Sequence, residues 1–264
     1  DRAAAPNASA EPVAMDLTTL AFLTINGLTF AALLFVMASG LSLAFGLMRV
    51  INLSHGALYM LGGYLGVYLF DATGSFALAL ASGAAAALAL GVFIEKVLLH
   101  RVRGQELPEA IITIGVAIIV ADAMLVLFGG LPKRLDPPSW LRGAVDLGIL
   151  YYPLFRLTVL GFAVALGIAL LLILTRTRVG AAIRCGVDDR ETAESQGINV
   201  AMLFSIVFGF ASALAGIAGV LGASFISLSA TTGVRVLMLS LVVVILGGLG
   251  STAGAVVGAL VTGL

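Results

Sequence analysis

Apolar runs long enough to cross a lipid bilayer follow one another along nearly the whole chain, and no other feature restricts its fold as much. A helix needs about 20 apolar residues to cross the hydrocarbon core. The candidate runs are 17–47, 56–70, 76–99, 110–130, 150–175, 201–226 and 236–263. The first two admit a second division, 17–38 and 41–70 with a break at 50–55, and either version makes two passes. The expected fold is therefore all-α, a polytopic transmembrane helix bundle with about seven spans. The sequence stops at Leu264 inside an apolar run, so an eighth, C-terminal span is expected beyond it. Composition agrees: 61% of residues are apolar and 11% charged, where soluble domains carry about 45–50% and about 25%.

Residues 1–16 are rich in Ala, Pro and Asn and carry no apolar core, which reads as a flexible tail. The first residue is Asp1, so a processed or trimmed start is expected. Asn7-Ala8-Ser9 matches a glycosylation acceptor, a triplet common by chance. The domain itself spans 17–264. The zero net charge implies no nucleic-acid partner, and the single cysteine, Cys185, excludes an internal disulfide. With two histidines, His55 and His100, no resident metal is expected. No phosphate-binding G-x-x-x-x-G-K-[ST] occurs, so ATP hydrolysis by that route is excluded. Gly248-x-Gly250-x-x-x-Gly254 loosely imitates a dinucleotide fingerprint, but it lies in an apolar run with no strand before it. Gly250, Gly254 and Gly258, like Gly62 and Gly66, instead suit close helix packing in lipid.

Short loops rich in Lys and Arg mark the cytoplasmic side. One loop holds Lys96, Arg101 and Arg103, and another holds Arg176, Arg178, Arg184 and Arg190. Two spans separate them, so both are expected in the cytoplasm. The connector 131–149, with Pro132, Pro137, Pro138 and Trp140, is then a folded external segment, and the tail is external as well.

Against this background "RVINLSHGALYMLGGY", residues 49–64, concentrates Arg49, Asn52, Ser54 and His55 within seven positions. Polar side chains at membrane depth are costly and usually line a bundle interior or a pathway. Asn52-x-Ser54 ahead of an apolar run also suits a helix start, and transporters use half-helix ends at their substrate sites. The opposing reading is an ordinary turn with Arg49 at the interface and Asn52 as a cap. His55 alone is more often a hydrogen-bonded structural residue than a relay. Asp122, inside the run 110–130, is a functional candidate by its position, or else part of a structural hydrogen bond or ion pair.

The segment 176–200, "RTRVGAAIRCGVDDRETAESQGINV", is long for a connection between packed helices. Asp188, Asp189, Glu191 and Glu194 favour the N-terminal half of a helix over about 187–196, with Gly197 as its stop in a left-handed conformation. Glu191-Thr192-Ala193-x-x-x-Gly197 resembles the "EAA…G" coupling loop of ABC importer permeases, with Thr192 in place of the central alanine. "RVINLSHGALYMLGGY" resembles the "INFAHG…YM.G.Y" signature of the high-affinity branched-chain amino acid permeases. The loop just quoted resembles their "TR.GRA.RA…D…A…GIN". "VVVILGGLGSTAGAVVGALVTGL" resembles their "V.GGLGSI.GA..GG…G" segment. The matches fall in the family's order and cover about residues 20–264.

This resemblance implies a permease subunit of an ABC importer in a bacterial inner membrane, not itself an enzyme. It implies a second related permease subunit, making a heterodimer, and a periplasmic substrate-binding protein. It also implies two cytoplasmic ATPases that bind ATP and Mg, with no cofactor in this chain. Asn52, Ser54 and His55 would line or gate the pathway, with Asp122 added on physical grounds. Asp188, Asp189, Arg190, Glu191, Ala193, Glu194 and Gly197 would couple to an ATPase, with Ala193 at the contact. The solute would be a branched-chain or related amino acid, or alternatively urea, an amide or another small carboxylate. A different class, an ion-coupled secondary transporter, would need a ring of intramembrane charges.

Overall fold

The computed structural model describes residues 17–48, 52–148, 150–188 and 190–264. Ten α-helices follow in chain order: α1 Leu17–Met48, α2 His55–Thr73, α3 Phe76–Phe93, α4 Glu106–Phe128, α5 Leu154–Arg176, α6 Arg178–Asp188, α7 Arg190–Ser195, α8 Val200–Gly222, α9 Thr232–Gly247 and α10 Thr252–Gly263. A two-strand antiparallel hairpin, β1 Ala144–Asp146 and β2 Tyr151–Pro153, interrupts the helices between α4 and α5.

Glycine decides which helices become central. In lipid no hydrophobic force drives helices together, so close backbone approach and dispersion must hold them. Gly62 of α2 lies directly against Gly216 of α8, and Gly63 against Gly219. Gly83 of α3 enters the same crossing, so α2, α3 and α8 pack with almost no side chain between them. The span-forming stretch of α8 is 67% buried, whereas that of α5 is 17% buried. α4 and α5 turn Ile118, Ile119, Val126, Ile168 and Leu171 outward, away from the bundle.

The loop region 99–105 and the pair α6–α7 lie at one end of the bundle, and the hairpin lies at the other. Ser205 near the start of α8 donates to Glu95, and Arg103 lies over the Phe204 ring, which ties the first end together. At the hairpin end the Lys133 N–H donates to the Leu228 carbonyl (2.9 Å), and the Tyr152 and Thr29 hydroxyls are 2.8 Å apart.

Among the described residues five helices are long and apolar enough to cross a membrane: Leu17–Gly46, Phe76–Arg101, Glu106–Phe128, Leu154–Arg176 and Val200–Gly222. The expected count of about seven spans compares with these five, or six if the bent pair α9–α10 counts as one. The break between the first two runs falls after Met48, as the first division has it. However, α2 is a central helix of small and aromatic residues and is not among the five. The run 236–263 is not one straight helix: α9 and α10 are bent by 115° at the break between them. Gly248 (φ 91°) and Gly250 (φ 82°) adopt the left-handed conformation that makes this turn, and Ser251 Oγ accepts from the Gly254 N–H (2.9 Å) to start α10. Gly254 and Gly258 then pack α10 back onto Gly247 and Val243 of α9.

Candidate functional site

Two helices begin inside the bundle rather than at its ends. The ring N–H at Nε2 of His55, the first residue of α2, donates to the Met37 carbonyl (2.8 Å). Met37 lies 11 residues before the last residue of α1, a rise of about 16 Å at 1.5 Å per residue. Gly40 makes room for the ring: a Cβ there would be 3.1 Å from His55 Cε1 and 2.6 Å from the Ala211 carbonyl oxygen. Ala211 is itself 11 residues into α8, again about 16 Å deep. α9 starts at the same level, because Gly233 packs on Gly56 and against Met60 Sδ.

The side chains at these two starts are polar and buried. Asn52 is 5% exposed, Ser54 0% and His55 1%. Asn52 Oδ1 accepts from the Ser54 N–H (3.0 Å) and from the Ser54 hydroxyl (2.6 Å). This closes a local turn in the manner of an Asx-turn. At α9 the Ser229 N–H donates to Thr232 Oγ1 (2.9 Å), and the Thr232 hydroxyl reaches the Ser227 carbonyl (3.2 Å). Neither Ser54 nor Thr231, the residues preceding the two helices, caps its helix with its side chain. Ser75, Asn199 and Ser251 do cap α3, α8 and α10. Uncapped first turns leave backbone N–H groups without intrahelical partners and a partial positive charge at the helix end.

A cleft of about 310 Å³ lies beside both starts. Leu53, Gly56, Ala57, Met60, Gly233 and Leu237 border it, and its outer wall is Ile114 and Ile118 of α4. Asn52, Ser54 and His55 do not border this cleft; their neighbours Leu53 and Gly56 do. The three polar side chains therefore hold the α2 start in place, and what faces the cleft is backbone and apolar surface. Asp122 is separate from them. It is exposed on α4, next to Ala121 on the cleft wall, and makes no hydrogen bond or ion pair among the described residues. Arg49 and Asp189 lie outside the described residues.

The segment 176–200 contains two helices where one was expected over 187–196. The charged and apolar residues of α6 cancel in any average, so hydropathy does not mark it as a helix. The two helices pack beneath α1 and α8 through Ile183, Leu43, Val200, Leu203 and Val207. Ala193, expected at a docking contact, is instead fully buried in this cluster. Glu194 is exposed. Of Asp188, Arg190 and Glu191 only the backbone is described. Gly197 has φ 81°, as expected of a left-handed stop. Its N–H donates to the Glu194 carbonyl (3.0 Å), and the Ile198 N–H to that of Ala193 (3.1 Å). That pair of bonds is a Schellman ending.

Sequence reasoning passed over Ser229 and Thr232, because isolated hydroxyls in an apolar run carry little signal until the facing helix start is known. It also passed over Glu95, which is 0% exposed and ion-paired to Arg103. The signal available there was an acid placed before Lys96 at the end of an apolar run.

Comparison with known proteins finds relatives along almost the whole chain. The chain is 28% identical over 256 residues to the high-affinity branched-chain amino acid transport system permease protein BraD of Pseudomonas aeruginosa, covering 91% of this chain and 83% of that one. It is 27% identical over 259 residues to LivH of Escherichia coli K12, a permease protein of the same description, covering 90% and 82%. For LivH of Salmonella typhimurium the identity is 26% over 254 residues. No solved structure matches. The family described as "Branched-chain amino acid transport system / permease component" matches residues 23–264, and the chain belongs to that family.

Proposed function

We propose that this chain is the membrane-spanning subunit of an ABC importer for branched-chain or closely related amino acids. It takes solute from a periplasmic binding protein and releases it to the cytoplasm. The observation that carries this reading is the family match over residues 23–264. The geometry supports it. The cleft beside the α2 and α9 starts offers apolar walls to a branched side chain. The two uncapped helix ends offer backbone N–H groups and positive potential to a carboxylate. Asn52, Ser54 and His55 set the position of that gate without touching the solute.

The end that carries α6 and α7 is cytoplasmic in this reading, since Lys96, Arg101, Arg103, Arg176, Arg178 and Arg184 collect there. Two ATPase subunits dock on that end. Glu194 and the acidic positions Asp188, Asp189 and Glu191 lie on the docking segment, and Arg190 with them. Ala193 and Gly197 hold that segment against the membrane helices. A second permease subunit covers the α4 side of the cleft. Asp122, an exposed carboxylate within a span, supports a protein rather than a lipid neighbour there.

The test is uptake of labelled leucine into proteoliposomes holding the complete complex. Uptake should require both ATP and the binding protein. Uptake driven by a proton or sodium gradient without them would replace this reading with an ion-coupled carrier. Competition by isoleucine and valine but not by urea or acetamide separates amino acids from the smaller solutes.

A further inference from the structure

α3 does not end as a regular helix. Ile94–Leu98 forms one π-helical turn and Leu99–Arg101 a 3-10 turn. The change of winding turns Glu95 inward and leaves Lys96 exposed. Glu95 is fully committed: it pairs with Arg103 and accepts the Ser205 hydroxyl. Arg103 lies over the Phe204 ring, 4.7 Å from its centroid, and its side chain is 13% exposed. The Arg103 Nε–H is buried and has no acceptor among the described residues. Lys96 and His100 are exposed and make no hydrogen bond or ion pair among the described residues.

Lys96, His100 and Arg103 border one cleft of about 740 Å³ between α3 and α8, together with Glu95 and Ser205, which are already bonded to each other. The part of the cleft farther into the bundle is apolar, with Leu88, Val92, Ile206 and Phe210 along it. Leu88 and Ile206 are 44% and 48% exposed, so the groove is open to its surroundings along its length. Lys96 and His100 are exposed at the mouth of the cleft, and the Arg103 guanidinium beside them is held by Glu95. An occupant that suits both exposed groups is anionic at the mouth, and its carrier is apolar to suit the wall above.

We propose that this cleft binds one anionic phospholipid. The phosphodiester lies on Lys96 and His100, and an acyl chain follows Leu88, Val92, Ile206 and Phe210. Basic pockets between membrane helices bind such headgroups. The site joins the irregular end of α3 to α8. Through Phe204 it also reaches the cluster that seats Ala193, so occupancy stiffens the end of the bundle that carries α6 and α7. The inference does not depend on which solute is carried.

The purified full-length chain in detergent is titrated with phosphatidylglycerol, phosphatidylcholine or inorganic phosphate, and followed by thermal melting and native mass spectrometry. Phosphatidylglycerol should raise the melting temperature and remain bound as a single adduct, while the other two should do neither. Lys96→Gln should weaken binding about fivefold, from about 1 kcal/mol per cation near a membrane surface, and Lys96→Arg should restore it. Lys96→Gln with His100→Gln should abolish the adduct while leaving the lipid-free melting temperature unchanged, since both side chains are exposed. Equal stabilisation by phosphatidylcholine, or an adduct that survives in the double variant, would overturn the proposal. Stabilisation by inorganic phosphate alone would make this a free-anion site. Release of a copurifying ATPase by the variants, with lipid binding intact, would make it a protein dock.

Discussion

The crossing of α2 on α8 and the seating of α7 under α8 solve the same problem, holding one helix against another, by opposite means. At the crossing, Gly62 meets Gly216 and Gly63 meets Gly219 backbone to backbone. At the seat, Ala193, Ile183, Leu203 and Val207 interdigitate as side chains. The difference follows from the solvent. Surrounded by lipid-embedded helices, side-chain burial earns little, and close backbone approach is the available attraction. At the bundle end water is nearby, and apolar burial stabilises by roughly 25 cal/mol per Å². The crossing should therefore be brittle towards added atoms, and the seat should respond locally and in graded fashion.

Gly62→Leu is the severest test. Its Cβ would sit 2.6 Å from the Gly216 carbonyl oxygen, and neither backbone can move without disturbing α3. The yield of monodisperse protein should collapse; recovery at the wild-type level would show that the crossing is loose. Next comes Ala193→Trp. Overpacking a full site costs about 1–3 kcal/mol, confined here to α6 and α7. The bundle should still purify with its melting temperature lowered, and limited trypsin digestion should cut first within 176–190. A uniform loss of protein would erase the contrast between the two regions.

Smaller still is Gly197→Val. No atom lies within 4 Å of a Cβ placed there, so the cost is purely conformational, about 1–2 kcal/mol at positive φ. Gly197→Asn should cost clearly less, because asparagine tolerates that region. Equal melting temperatures for the two variants would point to a side-chain clash instead. The mildest is Ser54→Ala, which removes one hydroxyl bond to Asn52, worth about 1 kcal/mol. Its melting temperature should shift little while leucine uptake falls. Unchanged uptake would reduce the polar turn to scaffold.

Hydropathy made most of the bundle legible, since α1, α3, α4, α5 and α8 each coincide with an apolar run. It failed where direction matters. An average cannot register that 236–263 bends by 115°; only Gly-Gly-Leu-Gly-Ser at 247–251 signals it, and glycines in membrane helices have a second explanation in packing. It failed again at α6, where Arg178 and Arg184 offset Val179 and Ile183. The polar residues 52–55 stood out because they break the apolar background, so the α2 start was visible. The α9 start was not, because Ser229 and Thr232 match their surroundings in size and acquire meaning only opposite Gly56. Glu95 and Arg103 are eight positions apart and meet through a change of helical winding, which no fixed-period reading anticipates.

One consequence concerns α1. Its 32 unbroken residues make a rod of about 48 Å, longer than the roughly 30 Å hydrocarbon layer. Thr29 is tied to Tyr152 of the hairpin, Met37 holds His55, and Leu43 is wedged into the cluster under α8. A strut fastened at three heights carries a push from one membrane face to the other without bending. Pressure on the hairpin and pressure on α6 thus arrive at His55 along the same line, from opposite sides.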